Sequence, residues 1–386
     1  MKNMKTSRFQ QTSNRMRPSI ITRKRSSKWL GLPLSLLLGV AATARAEDTT
    51  TNVISGFSFD LGNTDLVIGS SGTNNFGQID SAGSVFNVAN TYIGLGSSAN
   101  FNAILITDSG STLLVNNQYY VGFSGSFNNL TIANGGVATG GGAFNFIGND
   151  ATSTGNSVSV TGAGSAWTLA GSLQVGGGGT SNTLTIASGA AVTNTLAVVG
   201  TDATSSDNSV LVTGSGSVWA NTELQPGLKG PGNTLTIAAG ARVWSVGSAL
   251  TGRIGAHTDG TSDNNTVLVT GAGSLWQNDG QLFVGEYGSS NSIIITDGGT
   301  VAAPRPIIGA GATGFPLPNY NTVVVSGAGS AFVQTNTAGG PTGNARVGSL
   351  GSFNRLIVTN GGLGPIDIHY CTSQGFRLIG VNDQAL

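Results

Sequence analysis

Eleven times along the chain one phrase returns: a residue such as Val or Ile and then Gly, a loop, and an Asn followed by alternating apolar residues. The opening asparagines are Asn75, Asn102, Asn128, Asn156, Asn182, Asn208, Asn233, Asn265, Asn291, Asn321 and Asn354, spaced 25 to 33 residues apart. The two best copies, Asn156-Ser-Val-Ser-Val-Thr-Gly-Ala-Gly-Ser-Ala-Trp167 and Asn208-Ser-Val-Leu-Val-Thr-Gly-Ser-Gly-Ser-Val-Trp219, are nearly identical. A period in this range specifies a small unit stacked on copies of itself.

Within one unit, Val158 and Val160 alternate with Ser157 and Ser159, the period-2 pattern of a strand with one buried face. Gly162-Ala-Gly164-Ser165 turns the chain, Trp167 and Leu169 alternate again, and Leu173 and Val175 flank Gln174. Each unit therefore holds three short strands separated by Gly-rich corners. Strands this short make no stable domain alone. Coiling the chain, so that each turn pairs with the turns about 4.8 Å above and below, satisfies the backbone and joins the apolar faces into one core. The expected fold is all-β: a parallel β-helix (β-solenoid), right-handed, of about eleven rungs with three short strands each.

The corners account for the 61 glycines. Gly69, Gly94, Gly122, Gly148, Gly176, Gly200, Gly255, Gly285, Gly309 and Gly348 each follow Val or Ile, as expected of positions needing φ > 0 or close backbone approach. The Asn that opens each unit is expected to be a turn residue whose amide bonds local backbone or the Asn of a neighbouring rung, in preference to a glycan-binding ladder. Units also alternate. Those at Asn156, Asn208, Asn265 and Asn321 carry Gly-x-Gly-Ser and an aromatic residue, Trp167, Trp219, Trp276 or Phe332, whereas the others have Gly-Gly or Gly-Ala corners and aliphatic residues. The true repeat is thus two rungs. The aromatics share the inward parity of Val160 and Leu169, which favours core over sugar-stacking platforms.

Residues 1–28 carry nine Lys or Arg and no acid, the run from Trp29 to Ala42 is mainly apolar and broken by Pro33, and Ala44-Arg45-Ala46 precedes Glu47-Asp48. Basic region, short apolar region and small-residue site, in that order, predict a secretory signal peptide over 1–46, and the apolar run is too short for a spanning anchor. Cleavage after Ala46 would leave seven basic and seventeen acidic residues, a net charge of −10. Such a surface repels nucleic acid, and the mature domain is not expected to span a membrane. A single cysteine, Cys371, excludes an intramolecular disulfide and a Cys-based metal site.

The two-rung phrase N-x-V-x-V-T-G-A-G-S-x-W, L-x-V-G, N-x-L-x-I-x-x-G resembles the repeat associated with type V secretion and PEP-CTERM proteins, most specifically over Asn156–Gly176, Asn208–Trp219 and Asn265–Gly285. The resemblance implies an exported bacterial surface protein, usually the passenger part of an autotransporter-like molecule, and it brings no catalytic residues with it. Neither a membrane barrel nor a sorting helix follows Gly362 in this sequence.

Parallel β-helices also carry polysaccharide lyases and hydrolases, which gather charged side chains on one sheet of adjacent rungs. Here the acids fall mainly in loops and turns, at Asp150, Asp202, Asp207, Asp259, Asp263 and Asp297, and His257 and His369 lack a partner motif. Asp150, Asp202 and Asp259 recur two rungs apart, too far to share a calcium ion. No catalytic, cofactor or metal residue is therefore assigned, and no cofactor is expected. The domain plan is a signal peptide (1–46), a β-helix (47–362) and a divergent tail (363–386), for which a truncated or frameshifted gene is favoured over a genuine cap. The expected function is that of an exported, non-catalytic surface or adhesion scaffold, secreted or at the cell surface, whose partners are extracellular glycans or other surface proteins. A β-helix carbohydrate-active enzyme is the alternative.

Overall fold

The computed structural model describes residues 44–46, 51–247, 250–335, 345–365 and 368–370. The cleavage site after Ala46 falls at the edge of this set; the basic and apolar leader, Cys371 and the remainder of the tail lie outside the described residues.

Every element among the described residues is a strand, and the chain winds as a solenoid with parallel pairing between successive turns. One turn consists of Ser157–Thr161, Ala166–Leu169 and Ser172–Val175; the next consists of Thr183–Ala187, Ala191–Thr193 and Leu196–Val199. The first strands stack into a 12-stranded sheet, running from Thr51–Ser55, which lies ahead of the first Asn phrase, to Arg355–Thr359. The second and third strands form two further stacks. These merge into one sheet because the early strands Ser58–Ile68 and Ser84–Ile93 run across the corner between them, with register shifts on the way. At the other end, Leu363 bonds Phe332 and Ser330 through its backbone, and Ile368–Tyr370 pairs with Ala345–Val347, so the winding continues past Gly362.

The alternating apolar residues point inward as their period requires. Val158, Val160, Trp167, Leu169, Leu173 and Val175 are all buried, and the core runs unbroken along the array. The two-rung repeat has a packing cause. In-register stacking sets Trp167, Val192, Trp219, Val243, Trp276, Val301 and Phe332 in one column, with large and small residues alternating. The third strands follow in phase, as Leu173, Ala197, Leu224, Gly252, Leu282 and Pro306. A turn carrying Trp and Leu is thus flanked by turns carrying Val and a smaller or more compact residue, which keeps the interior filled without collisions.

The alternating turn chemistry has its own cause. In each Gly-x-Gly-Ser turn the Ser hydroxyl donates to the carbonyl four residues back, Ser217 to Thr213 at 2.7 Å for example, and accepts the backbone N–H of a Gly in the preceding turn, here Gly189 at 3.0 Å. Ser165, Ser274 and Ser330 do the same with Gly135, Gly240 and Gly298.

Candidate functional site

The repeated asparagines form an internal ladder. All eleven are buried, none more than 2% exposed. Each Oδ1 from Asn102 onward accepts the backbone N–H of the preceding Asn at 2.9 to 3.0 Å. Except at Asn321, where the Asn291 Nδ2 is buried without a partner, it also accepts that residue's Nδ2 at 2.8 to 3.2 Å. A buried amide bonded on both sides is no glycan contact, so the ladder is structural. It also explains the corner glycines. Gly176 has φ +77°, and a Cβ there would collide with the Asn208 side chain; Gly285 stands in the same relation to Asn321. Gly and Asn are therefore two halves of one contact between successive turns.

Trp167, Trp219, Trp276 and Phe332 are at most 1% exposed, which places them in the core. Trp219 Nε1 donates to Asn194 Oδ1 at 2.8 Å and Trp276 Nε1 to Ser245 Oγ at 3.4 Å. The loop carboxylates stay outside the strands: Asp150 accepts the Ser124 hydroxyl, Asp259 pairs with His257 at 3.0 Å, and Asp297 accepts the Thr270 hydroxyl at 2.9 Å. No three His, Cys, Asp or Glu residues converge as a metal site among the described residues.

The outward face of the third strands carries chemistry that the phrase does not contain. At the N-terminal end, Tyr92, Tyr120 and Phe146 are in register and stack with centroids 4.9 and 5.4 Å apart, with Phe123 edge-on. Burial raises both tyrosines above the ordinary phenol value, and at Tyr92 the nearby Asp65 adds to this. The facing sides of these rings are turned toward one another along the axis, so Tyr120, in the middle, has neither face free to stack on a ligand.

Further along the same face, Arg253 lies between two acids from neighbouring turns. Its Nε donates to Glu286 at 2.6 Å, and its Nη1 lies 3.4 Å from Glu223. Gln225 Nε2 also donates to Glu223, while the Gln225 Oε1 is buried without a partner. Phe283, Ile307 and Ala310 form a small apolar cluster beside the group, with Phe283 in register with Arg253. Burial pushes the Glu286 carboxyl above its usual range, against the opposing pull of Arg253. Burial tends to lower the Arg253 guanidinium, but its acidic partners outweigh this and hold it above the ordinary value. Three charged side chains thus converge on adjacent turns, the arrangement named for the enzyme alternative. Sequence reasoning missed them because Arg253 follows a register shift between Leu250 and Gly252, where the phrase is irregular.

No family model, curated protein or solved structure matches the chain.

Proposed function

We propose that the chain is an exported, non-catalytic structural rod of the bacterial surface, a passenger-type scaffold. One observation carries this reading: every residue type that defines the phrase is consumed by contacts between turns. The Asn bonds the next Asn, the Gly makes room for it, the Ser ties two corners together and the Trp fills the core. A repeat whose recurring residues all face inward or join neighbouring turns builds length, whatever its outer surface is used for. The leader read over 1–46 and the resemblance to secretion-associated repeats supply the export half of the proposal. Expression in a Gram-negative host, fractionation and intact-mass measurement test it. The expected product is extracytoplasmic and begins at Glu47; an uncut chain retained in the cytoplasm refutes export.

The Glu223–Arg253–Glu286 group favours one second reading, a carbohydrate-active site. Two carboxylates on the turns either side of Arg253, one with a raised pKa, are the elements of acid–base chemistry on a polysaccharide. Turnover of acidic polysaccharides that Glu223→Gln and Glu286→Gln both abolish, in folded protein, would establish it. Equal turnover by the variants would leave the group as an ion-pair clasp between turns.

A further inference from the structure

The first sheet is covered on its inner face only, although several mid-array strands have the composition of strands buried on both. Ser209–Thr213, Thr266–Thr270, Ser292–Thr296 and Thr322–Ser326 read Ser-Val-Leu-Val-Thr, Thr-Val-Leu-Val-Thr, Ser-Ile-Ile-Ile-Thr and Thr-Val-Val-Val-Ser. A half-buried strand alternates apolar and polar residues, whereas an uninterrupted apolar run belongs to a parallel sheet with both faces covered. The inner residues, such as Ile293, Ile295, Val323 and Val325, fill the core. The middle residues Leu211, Leu268, Ile294 and Val324 point the other way and none is buried, Leu211 being 37% exposed. With Thr236 they form one in-register column, flanked on both sides by columns of Thr, Ser and Ala. The same face is free of charge over a long stretch. From Ala103–Thr107 to Thr322–Ser326, nine successive strands pair without a register shift, and every outward residue on them is neutral. Among the described residues, the charges on this sheet are Asp80 and Arg355, beyond its two ends. The other strand stacks carry theirs at mid-array, at Glu223, Arg242, Arg253 and Arg305.

We infer that this neutral face is an interface for a second copy of the chain, the two rods lying side by side with their first sheets in contact. At about 4.8 Å between strands and about 3.3 Å per residue, the face measures roughly 43 by 17 Å, or about 700 Å². Two such faces in contact bury about 1,400 Å², the size of a specific protein–protein interface. A partner recognised by charge has nothing to hold here. Residues 47–386 carry seventeen acids against seven bases, so copies of the chain repel over most of their surface and approach where the charge is absent. The face also matches itself: side chains that repeat once per strand find the same period on another stack of strands in register. In the antiparallel arrangement the Asp80 end of each copy meets the Arg355 end of the other, so like charges are not opposed. This inference does not depend on the proposed export or on the absence of catalysis.

The test is sedimentation equilibrium of the full chain from about 1 to 100 µM, with hydrogen exchange compared at the two extremes. The expected result is a monomer–dimer equilibrium in which association slows exchange at Thr266–Thr270 and Ser292–Thr296. Ile294→Lys sets two cations in the interface, one from each copy, and should weaken association at least about tenfold. Gln174→Lys, on the outer side of the third strands, should leave association unchanged, and circular dichroism checks that both variants fold. A wild-type chain that stays monomeric throughout overturns the inference, whatever the variants do. A dimer that folded Ile294→Lys leaves intact overturns it as well, and so does association that protects only Thr51–Ser55 and Arg355–Thr359, which marks end-to-end stacking. Protection of the first sheet that requires an added glycan in place of a second copy is the remaining outcome that refutes it.

Discussion

If Gly and Asn are two halves of one contact, their substitutions must not add. Asn208 lies at mid-array. Its Oδ1 accepts the backbone N–H of Asn182 at 2.9 Å and its Nδ2 at 3.1 Å, and its own Nδ2 donates to Asn233 at 3.0 Å. Asn208→Ala removes all three bonds. Asn182 Nδ2 keeps the Ser153 carbonyl and Asn233 Oδ1 keeps the Asn208 backbone N–H, so one buried group, the Asn182 backbone N–H, is orphaned. An orphaned buried donor costs roughly 1–3 kcal/mol and each of the other two bonds roughly 0.5–1.5, so the variant should lose about 2–6 kcal/mol. Gly176→Ala pays about 1–2 kcal/mol for an L-residue at φ +77°, plus the collision of its Cβ with the Asn208 amide. In the Asn208→Ala background that collision is gone. The double variant should therefore be more stable than the sum of the singles by about 1–3 kcal/mol, well beyond the scatter of independent sites. Gly164→Ala is the control: its φ of +82° carries the same conformational cost, but its Cβ would meet nothing closer than Gly135 Cα at 3.7 Å, so it should add to Asn208→Ala without coupling. Urea unfolding followed by tryptophan fluorescence reads the differences, provided that the m-value is unchanged. Exchange of the Asn182 amide reports the orphaned bond directly. Additivity of Gly176→Ala and Asn208→Ala within about 0.5 kcal/mol would refute the coupled-contact account.

Three further outcomes follow from burial and charge. Trp219→Ala should cost about 3–5 kcal/mol by denaturant titration, because the ring is fully buried, whereas Trp244→Ala, at a residue 38% exposed, should cost under about 1. Val160→Asp buries an unpaired carboxylate and should unfold the array or lower its stability by several kcal/mol, about the scale of an uncompensated polar burial, while Ser159→Asp on the outer side of the same strand should be near neutral; equally harmless substitutions would refute the inward assignment of Val160. Glu286 has a folded pKa raised by burial, so the stability linked to its protonation is present below the unfolded pKa and is lost as pH rises through the folded one; the stability of wild type relative to Glu286→Gln should fall across that window, and a flat difference by thermal unfolding between pH 4 and 7 would contradict it.

The period, the three-strand turn, the inward parity of Val158, Val160 and Trp167, and the Gly corners were all legible in the sequence, because each depends on spacing within a single turn. Features that depend on register between turns were not. The phrase showed that units alternate but not that Trp219 is paired with Val192 and Val243, which is the volume constraint behind the alternation. The charged group was hidden for the same reason: Glu223, Arg253 and Glu286 are far apart in the chain and meet only once an irregular strand is given its register. Local backbone strain was equally silent. The residue before each ladder Asn has positive φ, and at Phe101, Phe127, Tyr320 and Phe353 that residue is a large aromatic with no intrinsic preference for the conformation. The ladder overrides the preference by fixing the residue that follows, and the exposed rings recover part of the cost by stacking, Phe101 on Phe127 at 5.1 Å and Tyr320 on Phe353 at 4.9 Å.

The alternation of large and small columns has a consequence for how such a molecule changes length. Excising the single turn that contributes Val243 and Gly252 would bring Trp219 directly against Trp276, and Leu224 against Leu282, at the spacing of one strand. Duplicating a Trp-bearing turn in place would create the same crowding. Removing or copying the turns in pairs preserves the column order at both junctions. Packing therefore disfavours changes of the rod's length by an odd number of turns, and the unit in which the array can grow or shrink without crowding is the pair of turns.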